Sequence, residues 1–203
     1  ANRGLAGGYN SNITSMIIDE GFTKENTVVY AVGKKGRELL ERKGYEIKAD
    51  YSEAINDPIY KDAKEICDDV LSAFADGEVG EIYLAYTVFK NTVVHEPQLI
   101  RLLPVEADDA AHETDGSEAL MTYEPSEEEA LDMIIPKYVC SLVYGALIES
   151  VASENGARMQ AMDSATSNAE EMISTLSLKY NRARQASITQ ELTEIIAGAN
   201  AIE

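Results

Sequence analysis

The stretch from Ser126 to Glu203 constrains this chain more than any other. Pro125 precedes Ser126, and Glu129 stands three residues further on. That is the spacing of a capping box, in which each side chain serves a backbone donor of the first helical turn. No Gly-Pro or Pro-Gly turn follows. The one internal proline, Pro136, lies near the start, where a kink is tolerated. The pattern predicts a single helix over 126–203. At about 1.5 Å per residue it would span on the order of 115 Å, more than a globular domain. Most of it must therefore pack on something outside its own domain.

The apolar spacing says what kind of partner. Leu131, Ile135, Tyr138 and Leu142 lie three or four residues apart. The series continues through Val151, Met159, Met162, Ala165, Ala169, Ile173, Leu176, Tyr180 and Ala183, then Ile188, Leu192, Ile195 and Ala199. A mean step of about 3.5 residues is a coiled-coil seam. Ala152, Ala165, Ala169 and Ala183 along it suggest close approach of a neighbouring helix. Over one or two turns a buried bundle helix would explain the pattern; over this length a coiled coil explains it better.

Ahead of this helix the chain alternates strand and helix. The Gly-rich opening, residues 1–13, precedes a helix expected to reach about Glu20, capped by Ser11 or Asn12 and stopped at Gly21. GLAGG at Gly4–Gly8 has the look of a phosphate cradle. It matches neither GxGxxG nor GxxxxGK[ST], and no lysine follows, so a structural turn is the better reading. Thr27–Val32 is a β-branched run suited to a covered strand. Lys34–Lys43 reads as a helix ended by Gly44, Tyr45–Ile47 as a short strand, and Ile59–Ala75 as a helix with Ile66, Val70, Leu71 and Phe74 inward. Glu81–Phe89 and Pro97–Val105 read as a long hairpin turning at 91–96. The acidic stretch 106–118 is a solvated loop without calcium-loop spacing. Ala119–Glu124 is a last strand. The expectation is an α/β, Rossmann-like globular head with a mixed sheet over 1–125, and a long C-terminal coiled-coil helix over 126–203.

Charge and special residues narrow the function. In 203 residues there are 17 Lys and Arg against 36 Asp and Glu, a formal charge of −19. Such a surface does not suit phosphate-backbone binding, so no nucleic-acid partner is expected. Adsorption to anionic lipid is disfavoured for the same reason. No uninterrupted apolar run is long enough to cross a bilayer, and no charged-then-apolar leader opens the sequence. Cys67 and Cys140 sit in apolar helical patterns and read as buried thiols. His95 and His112 lack metal-ligand spacing, and CxxC, HExxH and GxSxG are absent. No catalytic residue, metal or cofactor is expected.

Two segments carry a resemblance. RGLAGGYNSNI at Arg3–Ile13 is similar to the DRGLCGxxNSN segment of the gamma subunit of the F-type ATP synthase, with Asn2 and Ala6 where that pattern has Asp and Cys. ASENGARMQAMDSATSNAEEMI, continuing through YNRARQASITQELTEIIAGANAI, resembles the same family over Ala152–Ile202. The order and length of the middle are compatible. One departure stands out. Members of the family begin with a long helix, antiparallel to the C-terminal one, and an apolar strand leading into the RGL motif; this sequence begins at the motif. The resemblance therefore implies an antiparallel coiled coil with an N-terminal helix absent from this chain.

The resemblance also implies a role. The family is the noncatalytic central-stalk rotor that couples proton or sodium flow through a membrane ring to ATP synthesis in a surrounding catalytic ring. Implied partners are the alpha and beta subunits of the catalytic ring, the epsilon subunit and the c-subunit membrane ring, without direct membrane insertion. By motif position, Arg158, Arg184, Gln185 and Thr189 match contacts to the catalytic ring. Arginine forks suit orientation-dependent bonds to carboxylates. The plain alternative for Arg182 and Arg184 is a solvated basic face. Tyr123 and Glu124 match the foot that meets the membrane ring and epsilon; Met121 stands where some relatives have Tyr. A bacterial, peripheral location on the cytoplasmic face of the plasma membrane is expected. Two rivals come from other classes: a stand-alone coiled-coil adaptor with an α/β head, and a small nucleotide-binding enzyme using Gly4–Gly8.

Overall fold

The structure, a computed structural model, describes residues 1–105 and 126–200. The readings placed on 106–125, among them the loop 106–118, the strand Ala119–Glu124, and Tyr123 and Glu124, lie outside the described residues.

Local rules account for the first elements. α1 (Tyr9–Asp19) starts earlier than expected. Its N-cap is Gly8, without a side-chain cap, so neither Ser11 nor Asn12 caps it. Gly7, at φ +54°, makes the turn that lets the helix begin at once, and Ser11 Oγ donates back to the Gly8 carbonyl at 2.9 Å. β1 (Val28–Ala31) and α2 (Lys34–Arg42) follow as expected, α2 stopping before Gly44 at φ +89°. β2 runs longer than read, Glu46–Asp50, and pairs with β1 in parallel. α3 (Tyr60–Ala75) opens with the Ile59 N–H donating to the Asp62 carboxylate at 3.0 Å. β3 (Ile82–Phe89) and β4 (His95–Leu103) form the expected antiparallel hairpin, with Phe89 opposite His95 and Thr87 opposite Pro97. Two N–H groups of the turn, those of Val93 and Val94, bond the Asn91 side chain at 2.9 and 2.8 Å.

Strand direction is thus mixed, but the described strands form two separate two-stranded ladders, β1–β2 and β3–β4. Both β1 and β3 line one cavity of about 850 Å³, together with Ile13, Ile17, Ile66, Leu102 and Val143. β1 is consequently half-buried rather than covered on both faces.

α4 (Glu127–Asn200) begins where the capping signal puts it: the Glu129 N–H donates to Ser126 Oγ at 3.2 Å. It stays helical through Pro136. The chain divides into two compact units, Ala1–Gln160 and the part from Ala161 on, and α4 contributes to both. In the first unit the core joins Ile55, Ala63, Ile66 and Cys67 to Ile82, Leu102 and Leu103, and closes on Val139, Cys140, Val143 and Leu147 of α4. These α4 positions are not the seam read from the spacing. Leu131 and Tyr138 of that seam are exposed, and Ile135, Leu142 and Val151 only half-buried. Over 131–151 the helix is apolar on two neighbouring sides, and the head takes the one centred on Val139 and Val143.

Candidate partner-binding surface on the long helix

In the first unit α4 passes from large to small residues along its head-facing side. Val139 is 2% exposed. Further on, the Ser150 carbonyl accepts from Tyr9 Oη at 3.1 Å, and Ser153, 0% exposed, donates from Oγ to the Thr87 carbonyl at 3.1 Å. Burial pushes the Tyr9 phenol above its ordinary range, so it is a neutral donor at physiological pH. Thr87 stands opposite Pro97, which has no N–H to give, so the bond from Ser153 helps satisfy a strand carbonyl. Gly156 is buried against the rings of His95 and Phe89. Spacing alone had not singled out Ser153 and Gly156; the available signal was a run of small residues, Ala152, Ser153, Gly156 and Ala157, in an otherwise large-residue helix.

Another side of the same helix segment is exposed and apolar, carrying Leu131, Ile134, Tyr138, Ile148 and Met159. One stretch between Glu129 and Gly198 is apolar enough, by length and composition alone, to cross a membrane. A core helix passes that test equally, and Val139–Leu147 supply core residues.

In the second unit every described side chain from Met162 to Asn200 is exposed. Large apolar residues nonetheless recur there: Ile173, Leu176, Tyr180, Ile188, Leu192 and Ile195. Tyr180 is 68% exposed. Exposed apolar residues at this spacing form a contact surface, since a solvated helix would carry polar groups all round.

The sequence-selected polar residues fall into two settings. Arg158 is held within the first unit: its guanidinium pairs with the buried Glu154 carboxylate and donates to Asn155 Oδ1 at 3.2 Å. Arg184, Gln185 and Thr189 are all exposed in the second unit. Thr189 Oγ1 donates to the Gln185 carbonyl at 2.8 Å, a bond within its own helix. Gln185 and Thr189, four apart, share one face.

The two predicted thiols, Cys67 of α3 and Cys140 of α4, are buried and free. Burial, with Cys140 as neighbour, pushes the Cys67 thiol up to about 12. No cluster of His, Cys, Asp or Glu suited to a metal exists among the described residues.

A head that grips one part of a helix, and a helix that offers an apolar stripe elsewhere, define an assembly subunit that recognises partners through a helix face. Comparison with known proteins sharpens the class. Residues 1–202 match the ATP synthase family. The ATP synthase gamma chain of Lachnoclostridium phytofermentans is 67% identical, aligned over 100% of this chain and 72% of its own length. The sodium-ion-specific ATP synthase gamma chain of Acetobacterium woodii is 43% identical over 98% of this chain and 72% of its own. Among solved structures, a chain of the Tetrahymena thermophila mitochondrial ATP synthase central stalk and c-ring aligns with a TM-score of 0.62 at 26% identity, covering 82% of this chain and 73% of that one. A chain of the Euglena gracilis mitochondrial ATP synthase aligns with a TM-score of 0.71, covering 100% of this chain and 70% of that one; at 19% identity it shows the fold. The chain belongs to the ATP synthase gamma-chain family, the central-stalk subunits of the F-type enzyme.

Proposed function

We propose that this chain is a noncatalytic rotor element that couples ion flow through a membrane ring to ATP synthesis in a catalytic ring by rotation. One observation carries the reading: the family match covers residues 1–202, and within it α4 from Met162 on is exposed yet apolar along a stripe. A rotor needs a stiff element whose surface meets successive partners, and a long helix supplies it. The stripe is where a second helix of the stalk lies, antiparallel. The alpha and beta subunits surround the pair, and the epsilon subunit and c-ring meet the foot. The complex sits peripherally on the cytoplasmic face of a bacterial plasma membrane.

Arg184, Gln185 and Thr189 are the proposed contacts to the catalytic ring, all exposed on α4. Arg158 joins them only by exchanging Glu154 for a carboxylate of the ring. Tyr123 and Glu124 are proposed contacts to the membrane ring and epsilon. The experiment is charge reversal at Arg184 combined with Gln185→Ala in the assembled complex. ATP-driven ion pumping should weaken relative to ATP hydrolysis. Pumping at the unaltered level would remove Arg184 and Gln185 from the contact set.

A further inference from the structure

The small side of α4 meets the β3–β4 hairpin through a shape that large apolar contacts cannot provide. Ser150, Ser153 and Gly156 recur at three-residue steps after the last large core residue, Leu147. Ser153 Oγ reaches the Thr87 carbonyl, and both residues are buried. Gly156 faces Phe89 and His95, which are paired across the hairpin with ring centroids 5.8 Å apart. A Cβ at position 156 would fall 2.7 Å from His95 Cε1, 3.2 Å from His95 Nε2 and 3.3 Å from Phe89 Cε2. No side chain fits there unless ring or helix moves. Neither ring nitrogen of His95 has a hydrogen-bond partner among the described residues. The imidazole packs against Phe89 and Gly156.

We infer that Ser153 and Gly156, seated on Thr87, Phe89 and His95, form a register lock that fixes the axial and rotational setting of α4 in the head. Where the chain acts as the rotor proposed above, on which this step rests, the lock is the point at which load passes between hairpin and helix. The free energy of burying large apolar side chains is itself non-directional. A bond to one carbonyl and a notch the depth of one Cβ add direction to it. Advancing the helix by one residue shifts it about 1.5 Å and turns it about 100°. Asn155 or Ala157 would then replace Gly156 at the His95 ring, and Ser153 would leave Thr87. Gly156 is also the last buried residue of α4 among those described, which sets the notch near the end of the head's grip on the helix.

The test uses the assembled complex carrying the whole gamma chain, with Gly156→Val, His95→Ala and the pair combined. Gly156→Val should assemble and hydrolyse ATP but lose ion pumping per ATP hydrolysed. His95→Ala, by emptying the slot, should restore that ratio in the double variant. An unchanged ratio in Gly156→Val, or a double variant as impaired as the single, overturns the lock. If Gly156→Val does not assemble, Gly156→Ala is read by hydrogen exchange of the hairpin amides. Exchange should quicken and then return to the starting rate when His95→Ala is added; unaltered exchange overturns the lock. Failure of the rotor reading looks different: the unsubstituted chain would itself not co-purify with a catalytic ring or support pumping.

Discussion

Replacing Ser153 with Ala isolates one hydrogen bond. The residue is 0% exposed, and its Oγ donates at 3.1 Å to the carbonyl of Thr87, itself 3% exposed. The substitution deletes a single oxygen, so little cavity forms and the transfer term is small. What remains is a buried acceptor deprived of a donor, which costs about 1–3 kcal/mol. At this chain length that corresponds to a melting shift of about 2–4 °C per kcal/mol. Ser141 is the matched control. Its Oγ donates to the Lys137 carbonyl at 2.9 Å, but on an exposed face where water replaces it. Ser141→Ala should stay within about 0.5 kcal/mol of the parent. Urea titration followed by the near-ultraviolet tyrosine signal reads both, and Ser153→Ala should move the midpoint with the slope unchanged. Equal costs for the two substitutions would refute the claim that the Ser153–Thr87 bond holds helix to hairpin.

Two further outcomes follow from the core. Leu147→Ala should cost about 2–5 kcal/mol in the same titration, whereas Leu192→Ala, on the exposed stripe, should cost far less in the isolated chain. A comparable loss at Leu192 would mean that the stripe is already covered. The Cys67 thiol is raised from 9.0 to about 12, first by burial and then by Cys140, so the folded head favours its neutral form. That contribution is complete below pH 9.0 and is lost as pH rises from 9.0 toward about 12. Alkaline unfolding of Cys67→Ala should show a shallower fall over that window, and an unaltered slope would show that the thiol takes no part.

Much of the fold is readable because it depends on neighbours in sequence. The Ser126 cap, the stops at Gly21 and Gly44, and the hairpin at Asn91 each need only a few adjacent residues. The start of α1 was less readable, because Gly7 can take a positive φ and no capping side chain is then required. The pairing of β1 with β2 was not readable: it is a choice made across the intervening helix, and alternation leaves it open. The side of α4 facing the head was ambiguous for a related reason. A helix apolar on two sides fits two partners, and only packing reveals that Val139 and Val143, rather than Leu131 and Tyr138, enter the head. Among the polar residues, Arg158 was chosen by motif, and the Glu154 carboxylate that holds it is four residues away, where a helical pair is expected. The seat of Gly156 on His95 joins residues far apart in the chain, and no local pattern announces it.

Pro136 gives the long helix a missing rung. With no N–H at that position, the carbonyl of Asp132 has no intrahelical donor, although the helix continues on both sides. The turns up to Ile135 hold no buried residue among those described, and burial begins at Val139. The gap in the ladder therefore coincides with the edge of the head's grip. Bending concentrates where a hydrogen bond is missing and no neighbour braces the backbone. The head therefore braces the first turns of α4 least: Ile135 rests half-buried on the core just before the missing rung, and full burial begins only at Val139.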